Sequence, residues 1–471
     1  MAYYPFVATF SSAVLLIAWA SFSAASLGLG VITTSISMQL LYFYEVLLQM
    51  PVALFTIGYL IYTIWDAIND PIMGFISDRP KSFWKKYGKR FPWVMIAFIP
   101  VCITFALIFS PPTGDNMLLF VWFLISLVIF DTFRSIWNIN YSALLYEKYI
   151  GDYARTKVAG FNNIFRQLGG VLAMMLPAFL INYLNPSSFS NFGIFVAIFS
   201  AICILIAIPG MREEAWLKQR ATMQAESGAF KATSLSDFFS TMKASFKIRN
   251  FLVFLIVGTC FYLMMIMQQA STPYYVTYIL GLGAEAQAAI YLPYLLIIII
   301  VSPFAVKIAK KINNPVKMFK YLLFATGIGA LLLLFPTDLI SAVIVQSIIA
   351  AISGFSVIIM TPVIGMMLDE TTLKFKAHKE GILLGINVVF QVLAGFFSTL
   401  IILVIHGITG FDATAGATQT SLAIFGLRLH IAIIPAIIIF IAALIFLKGW
   451  TLTGKRMEEV RGQLSEMKLS Y

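Results

Sequence analysis

The chain has 471 residues, of which 60% are hydrophobic, 15% aromatic and 11% charged, and its mean hydropathy is +0.90. Soluble proteins carry about 25% charged residues, so this composition excludes an ordinary soluble enzyme, a disordered regulator and a collagen-like fibre. The net charge of +11 would suit nucleic acid. Yet Lys and Arg cluster in short segments that alternate with apolar spans. Basic loops beside an anionic leaflet account for that pattern, and no nucleic-acid partner is expected.

Apolar runs long enough to cross a bilayer fall at 12–47, 51–77, 91–110, 117–147, 156–184 and 191–209. A second set falls at 250–280, 286–312, 316–335, 338–368, 380–408 and 420–448. The expected fold is an all-α membrane protein of twelve transmembrane helices. The first run is overlong for one straight span, and Gly28-Leu29-Gly30 is where it would break. Cys102, Cys203 and Cys260 lie in apolar stretches without paired spacing and read as buried thiols.

The inter-span segments form two alternating sets. Segments 79–90, 148–157, 211–249, 307–320, 374–379 and the 449–471 tail hold nearly all the Lys and Arg, whereas 48–50, 111–116, 185–190, 281–285, 336–337 and 409–419 hold none. The positive-inside rule then places both termini in the cytoplasm of a protein of the plasma membrane. MAYYPFVATF lacks a basic n-region and a cleavage site, so the first span is expected to act as an uncleaved insertion signal.

The longest polar stretch divides the chain into a six-helix half over 1–209, a cytoplasmic linker over 210–248, a second six-helix half over 249–448 and a cytoplasmic tail over 449–471. The halves echo one another. LLYFYEVLL at 40–48 resembles PYYVTYILG at 273–281, and LLYEKYIGDYARTKVAGFNNIF at 144–165 resembles MMLDETTLKFKAHKEGILLGINVVF at 366–390. Parallel six-span repeats with a mid-membrane site belong to major-facilitator transporters.

The most specific string is WDAINDPIMGFISDRP, residues 65–80, followed by KSFWKKYGKRFPW. Asp66 and Asp70 are four apart and share a helical face. Each carboxylate at depth costs roughly 2.5–3.5 kcal/mol, and two on one face repel. A Na⁺ or a shared proton between them relieves both costs; a salt bridge to lysines or to another helix is the alternative.

This string resembles the glycoside–pentoside–hexuronide:cation symporter family, the melibiose-permease-like branch of the major facilitators. YFYEVL at 42–47, NINYSALLYE at 138–147, RTKVAG at 155–160, RNF at 249–251 and KEGILLG at 379–385 extend the likeness along the chain. The resemblance implies that Asp66 and Asp70 coordinate the coupling cation, and are metal ligands if that cation is Na⁺. It also implies a cytoplasmic latch of Asp78, Arg79, Lys89 and Arg90, with Asp78 and Arg79 as its polar core. Departures fall where sugar-transporting members carry charge. Gly30 stands for a first-span acid, Asn138 opens the fourth-span motif with Asn140 for its usual proline, Asn163 stands for a fifth-span arginine, and Val392 for an eleventh-span lysine.

Other polar groups fill the fourth span. Asp131, Arg134 and Asn138 recur at three and four residues and continue to Tyr141. An arginine at depth faces either an ion-pair partner, such as Asp131, or a substrate carboxylate, phosphate or vicinal hydroxyls. With Asn163 and Gln391 they form the candidate substrate-binding set. Arg428 and His430 are a second candidate group; Trp65 and Trp137 could stack on sugar rings or pack; His378 and His406 carry no specific signal.

The expected activity is alternating-access symport of a small polar solute with Na⁺ or H⁺, a sugar, glycoside or uronide first. Lysophospholipids or other anionic amphiphiles are the alternative, and a non-transporting receptor or scaffold the third. No enzyme, no cofactor beyond the coupling cation and no nucleic-acid partner is expected; the protein should be a monomer in the bilayer.

Overall fold

In the computed structural model of the protein, residues 12–79, 81–149, 152–183, 185–226, 235–312, 314–376, 379–415 and 418–466 are described, and every regular element among them is helical. The chain forms two compact units, Met1–Ala232 and Thr233–Tyr471.

The first unit contains α1 (Ser12–Tyr42), α2 (Val52–Asp78), α3 (Phe91–Ile108), α4 (Asn116–Lys148), α5 (Asp152–Met175), α6 (Pro186–Met211) and α7 (Ala215–Glu226). The second contains α8 (Leu235–Ser245), α9 (Arg249–Tyr274), α10 (Ala286–Ile312), α11 (Pro315–Leu332), α12 (Leu339–Phe375), α13 (Glu380–Thr409), α14 (the span Ser421–Gly449) and α15 (Gly454–Glu466). Eleven helices among the described residues are long and apolar enough to cross a membrane, and the apolar stretch Ala286–Ile298 of α10 supplies the twelfth position. Polar caps start several of them. Asp115 accepts the Leu118 N–H at 2.8 Å, and Asn314 the Lys317 N–H at 2.9 Å, satisfying donors that a helix start leaves open.

Both units pair their helices in one pattern. In the first, α1 packs on α5 and α6, α2 on α4, and α3 on α4 and α6. In the second, α9 packs on α13 and α14, α10 on α12, and α11 on α12 and α14. The repeat extends to backbone detail. α1 ends in the π-turn Phe43–Leu47 and α9 in the π-turn Tyr275–Ile279. Leu48 donates to the Phe43 carbonyl at 3.0 Å and Leu280 to the Tyr275 carbonyl at 3.0 Å; one residue later the chain turns left-handed at Gln49 (φ 51) and at Gly281 (φ 66). The echoed strings are thus one structural device used twice.

One expectation needs correction, and two polar segments gain structural detail. α1 does not break at Gly28-Leu29-Gly30 but is continuous to Tyr42. Those glycines instead let helices touch: a Cβ at Gly30 would lie 2.3 Å from the Arg166 carbonyl oxygen, and one at Gly169 would lie 2.1 Å from that of Leu27. The 210–248 segment holds two helices, α7 falling in the first unit and α8 in the second. The 449–471 tail forms α15, whose Met457, Val460 and Leu464 are buried in the core of the second unit against α12. That amphipathic spacing of three and four is legible in the sequence.

A candidate cation and substrate site on α2 and α4

The polar groups at depth converge where α2 meets α4. Trp65 donates its indole N–H to Thr132 Oγ1 at 3.0 Å, fixing the register of the two helices. One residue on along α2 and two along α4, Arg134 joins both elements. Its Nη2 lies 2.8 Å from Asp66 Oδ1 and 2.5 Å from Asp131 Oδ1, and its Nε lies 3.1 Å from the same Asp131 oxygen. Asp131 is fully buried and also accepts the Asn69 amide, 3.2 Å from both its Oδ2 and its carbonyl oxygen. The ion-pair alternative for Asp131 and Arg134 is therefore realised, and it extends to Asp66. Asp70 lies one turn beyond Asp66, half-buried, in the company of Ser135.

Two oxygens in this cluster have no donor. Asn69 commits its amide N–H groups to Asp131, which leaves Asn69 Oδ1 buried without a partner, and the buried Ser135 hydroxyl has none in hydrogen-bond geometry. Buried polar atoms normally find one. Oxygens of this kind beside carboxylates are what a hard monovalent cation takes as ligands. Among the described residues no three His, Cys, Asp or Glu side chains gather as a metal chelate, so an alkali cation here would need those neutral oxygens. Sequence reasoning passed over both. Asn69 lies inside the quoted motif, three residues after Asp66, and Ser135 four after Asp131, so helical spacing could have found them.

The other candidate residues lie elsewhere. Asn138 is half-buried further along α4. Tyr141 belongs to an internal network: its hydroxyl lies 2.8 Å from both the Phe22 carbonyl oxygen and Asn162 Oδ1, and its ring is stacked between Trp137 and Phe22. Trp137 is consequently packed rather than free for a ring substrate. Asn163 is exposed on α5, and Gln391 is half-buried on α13 in the second unit. Arg428 donates to the Leu334 carbonyl, just past the end of α11. His430 is buried, with Nδ1 2.6 Å from Ser271 Oγ and Nε2 3.2 Å from that of His406. His378 and the Pro80 that closes the aspartate motif lie outside the described residues.

At the end of α2 the basic loop closes on itself. Asp78 pairs with Arg90 at 2.7 Å and Lys89 at 3.5 Å, and Glu147 on α4 pairs with the same two cations at 2.9 and 3.6 Å. Arg90 also reaches Asn140 Oδ1 at 3.3 Å. Arg79 takes no part: it is exposed, with its guanidinium 4.3 Å above the Phe75 ring. The expected Asp78–Arg79 core is replaced by Asp78, Lys89, Arg90 and Glu147. Beneath them the buried Glu213 accepts the main-chain N–H groups of Lys89, Arg90 and Phe91 at 3.0, 2.6 and 2.9 Å, capping α3. Its distance in sequence hid this residue from local reasoning. The second unit uses Asn250, whose amide donates to Glu370 at 2.9 Å and to Thr451 at 2.9 Å.

The paired six-span units and the acidic cluster at depth define a polytopic membrane transporter of the major-facilitator type. The chain resembles the xylose transporter XylE from E. coli in its inward open conformation, with a TM-score of 0.62 over 96% of this chain and 99% of that one at 15% identity. It belongs to the MFS/sugar transport protein family, which it matches over residues 21–448. It is 23% identical to the uncharacterized symporter YnaJ of Bacillus subtilis (strain 168) across 96% of this chain and 95% of that protein. With the uncharacterized symporter sll1374 of Synechocystis it shares 27% identity over 41% of this chain, and spans only 37% of that relative's length. A shorter match, 27% identical over 26% of this chain and 23% of the relative, is to the sodium-dependent lysophosphatidylcholine symporter 1 of Xenopus tropicalis.

Proposed function

We propose that this protein is a cation-coupled symporter that moves an anionic polar solute by alternating access of its two halves. The observation that carries the reading is the cluster on α2 and α4, in which the buried Asp66 pairs with Arg134, Asp70 lies one turn on, and Asn69 Oδ1 and Ser135 Oγ are buried without hydrogen-bond partners. Three carboxylates and one guanidinium leave the cluster anionic, so a bound cation stabilises it. Coupling is reciprocal: whatever the cation does for substrate affinity, the substrate does for cation affinity. Arg134 adds a planar donor to the cluster, which suits a carboxylate or phosphate better than a neutral ring. An acidic sugar or uronide is therefore the leading substrate class. The alternative is a lysophospholipid or another amphiphile with an anionic group, supported by the relatives that are sodium-dependent lysophosphatidylcholine symporters, whose substrate carries a phosphate. Both termini lie in the cytoplasm in this reading, which the alternation of basic and uncharged inter-span segments supports.

Uptake of labelled uronides, neutral glycosides and lysophospholipids into proteoliposomes, with and without Na⁺ and pH gradients, tests the reading. Accumulation should follow one gradient, and Asp66→Asn and Asp70→Asn should each abolish it. Wild-type flux indifferent to both gradients would remove symport.

A further inference from the structure

We propose that Arg134 is a resident counter-ion that the coupling cation must displace from Asp66. This rests on the symport reading above but concerns the order of events inside the cluster. Arg134 Nη2 touches both Asp66 Oδ1 and Asp131 Oδ1. A cation held by Asp66, Asp70, Asn69 Oδ1 and Ser135 Oγ would share the Asp66 carboxylate with that guanidinium. Two positive charges on one carboxylate in a water-poor interior repel strongly, so cation and guanidinium compete for it.

The geometry allows the guanidinium to yield without unfolding anything. Arg134 and Asp131 are three residues apart on α4, and Nε holds Asp131 at 3.1 Å independently of Asp66. Release from Asp66 is thus a rotation about a tether on the same helix. Asp131 keeps the Asn69 amide as a further donor and is never left bare. The Arg134 side chain is 21% exposed whereas Asp66 and Asp131 are 7% and 0% exposed. Nη1 donates to no described residue. Displacement by the cation removes one of the two carboxylates on Nη2, so that edge of the guanidinium joins Nη1 as a donor to an anion while Asp131 stays bound. Cation binding then precedes and favours anion binding, which gives the sign that symport requires.

The test is Na⁺ and Li⁺ affinity of the purified full-length protein, measured by titration calorimetry. Removing the competitor in Arg134→Gln should tighten Na⁺ binding about tenfold or more, whereas Asp131→Asn should weaken it, because Arg134 then rests on Asp66 alone. If Arg134→Gln is unstable with Asp131 unpaired, the double variant Asp131→Asn with Arg134→Gln removes both charges and should also bind Na⁺ more tightly than wild type. A purely structural arginine would lower affinity in all three variants. Unchanged or weaker Na⁺ binding in both arginine variants, or no binding in any protein, overturns the displacement. Gradient-driven uptake by the wild type separates the two claims: uptake that persists with Na⁺ affinity unmoved leaves symport standing and removes only the exchange.

Discussion

Glu213 accepts the main-chain N–H of Arg90 at 2.6 Å across 123 residues of sequence. The contact turns a loop rich in lysine and arginine into a helix start. Three amides point at one carboxylate, and the positive end of the α3 dipole adds to its hold. Gly88 makes room: its φ is +100, and a Cβ there would lie 2.4 Å from Glu213 Cδ. Glu213→Ala should therefore destabilise the first unit by roughly 1.5–3 kcal/mol, the range of hydrogen bonds to a charged group. Gly88→Ala should cost about as much, and the double variant less than the sum, because both break one cap. Thermal unfolding in detergent of the two single variants and the double checks this.

The left-handed residue after each π-turn offers a contrast between the halves. Gly281 occupies its position without a steric cost, whereas Gln49 holds φ 51 with a side chain. Gln49→Gly should raise thermal stability, by up to about 1 kcal/mol. Gly281→Ala should lower it. A melting temperature that falls in Gln49→Gly would show that Gln49 makes a compensating contact, and one that rises in Gly281→Ala would contradict the backbone cost at that turn.

Asn69→Ala and Ser135→Ala remove oxygens rather than charges. Each should weaken the coupling cation about fivefold or more, read as the cation concentration that half-saturates uptake. Asn69→Ala should be the more severe for stability, since it also takes a donor from Asp131. Equal half-saturation in wild type and both variants would place the cation elsewhere.

Outside the membrane spans, Asp338 begins α12 in a capping box with Ser341. The Ser341 main-chain N–H, with further hydrogen bonds from that cap, holds the Asp338 carboxyl below its ordinary value. A carboxyl whose folded value is depressed contributes stability above its unfolded value, near pH 4, and loses it as the pH falls through the lowered one. Asp338→Ala should therefore increase exchange at the Ser341 amide at about pH 6, with the difference from wild type shrinking at about pH 3. A difference that grows on acidification would contradict this.

Much of the molecule is legible in the sequence for physical reasons. A bilayer leaves backbone groups no partner but one another, so apolar runs of span length become helices and basic segments mark one face. The echo of 40–48 in 273–281 is visible in the letters and proves to be two matched π-turns. Asp66 and Asp70 stand out because a carboxylate at depth is costly. The spacing of Asp131 and Arg134 shows that they can pair, since they lie on one helix. Other contacts escaped. Tyr141 belongs to the α4 stripe that suggested a binding surface, yet it turns toward Phe22, Asn162 and Ser26 on α1 and α5.

The sequence alone thus determined the class of protein, a helical membrane protein of many apolar spans in a repeated pattern, and singled out Asp66 and Asp70 as carboxylates costly at depth. Each follows from local composition or from spacing within one helix, which a linear reading can measure. Only the tertiary structure decided which charges meet. Arg134 reaches across to Asp66, Arg90 bypasses Arg79 to hold Glu147, and Glu213 returns to cap α3. These contacts join different helices, and helix packing sets their relative rotation and depth to within a few ångströms. No local pattern in the chain encodes that.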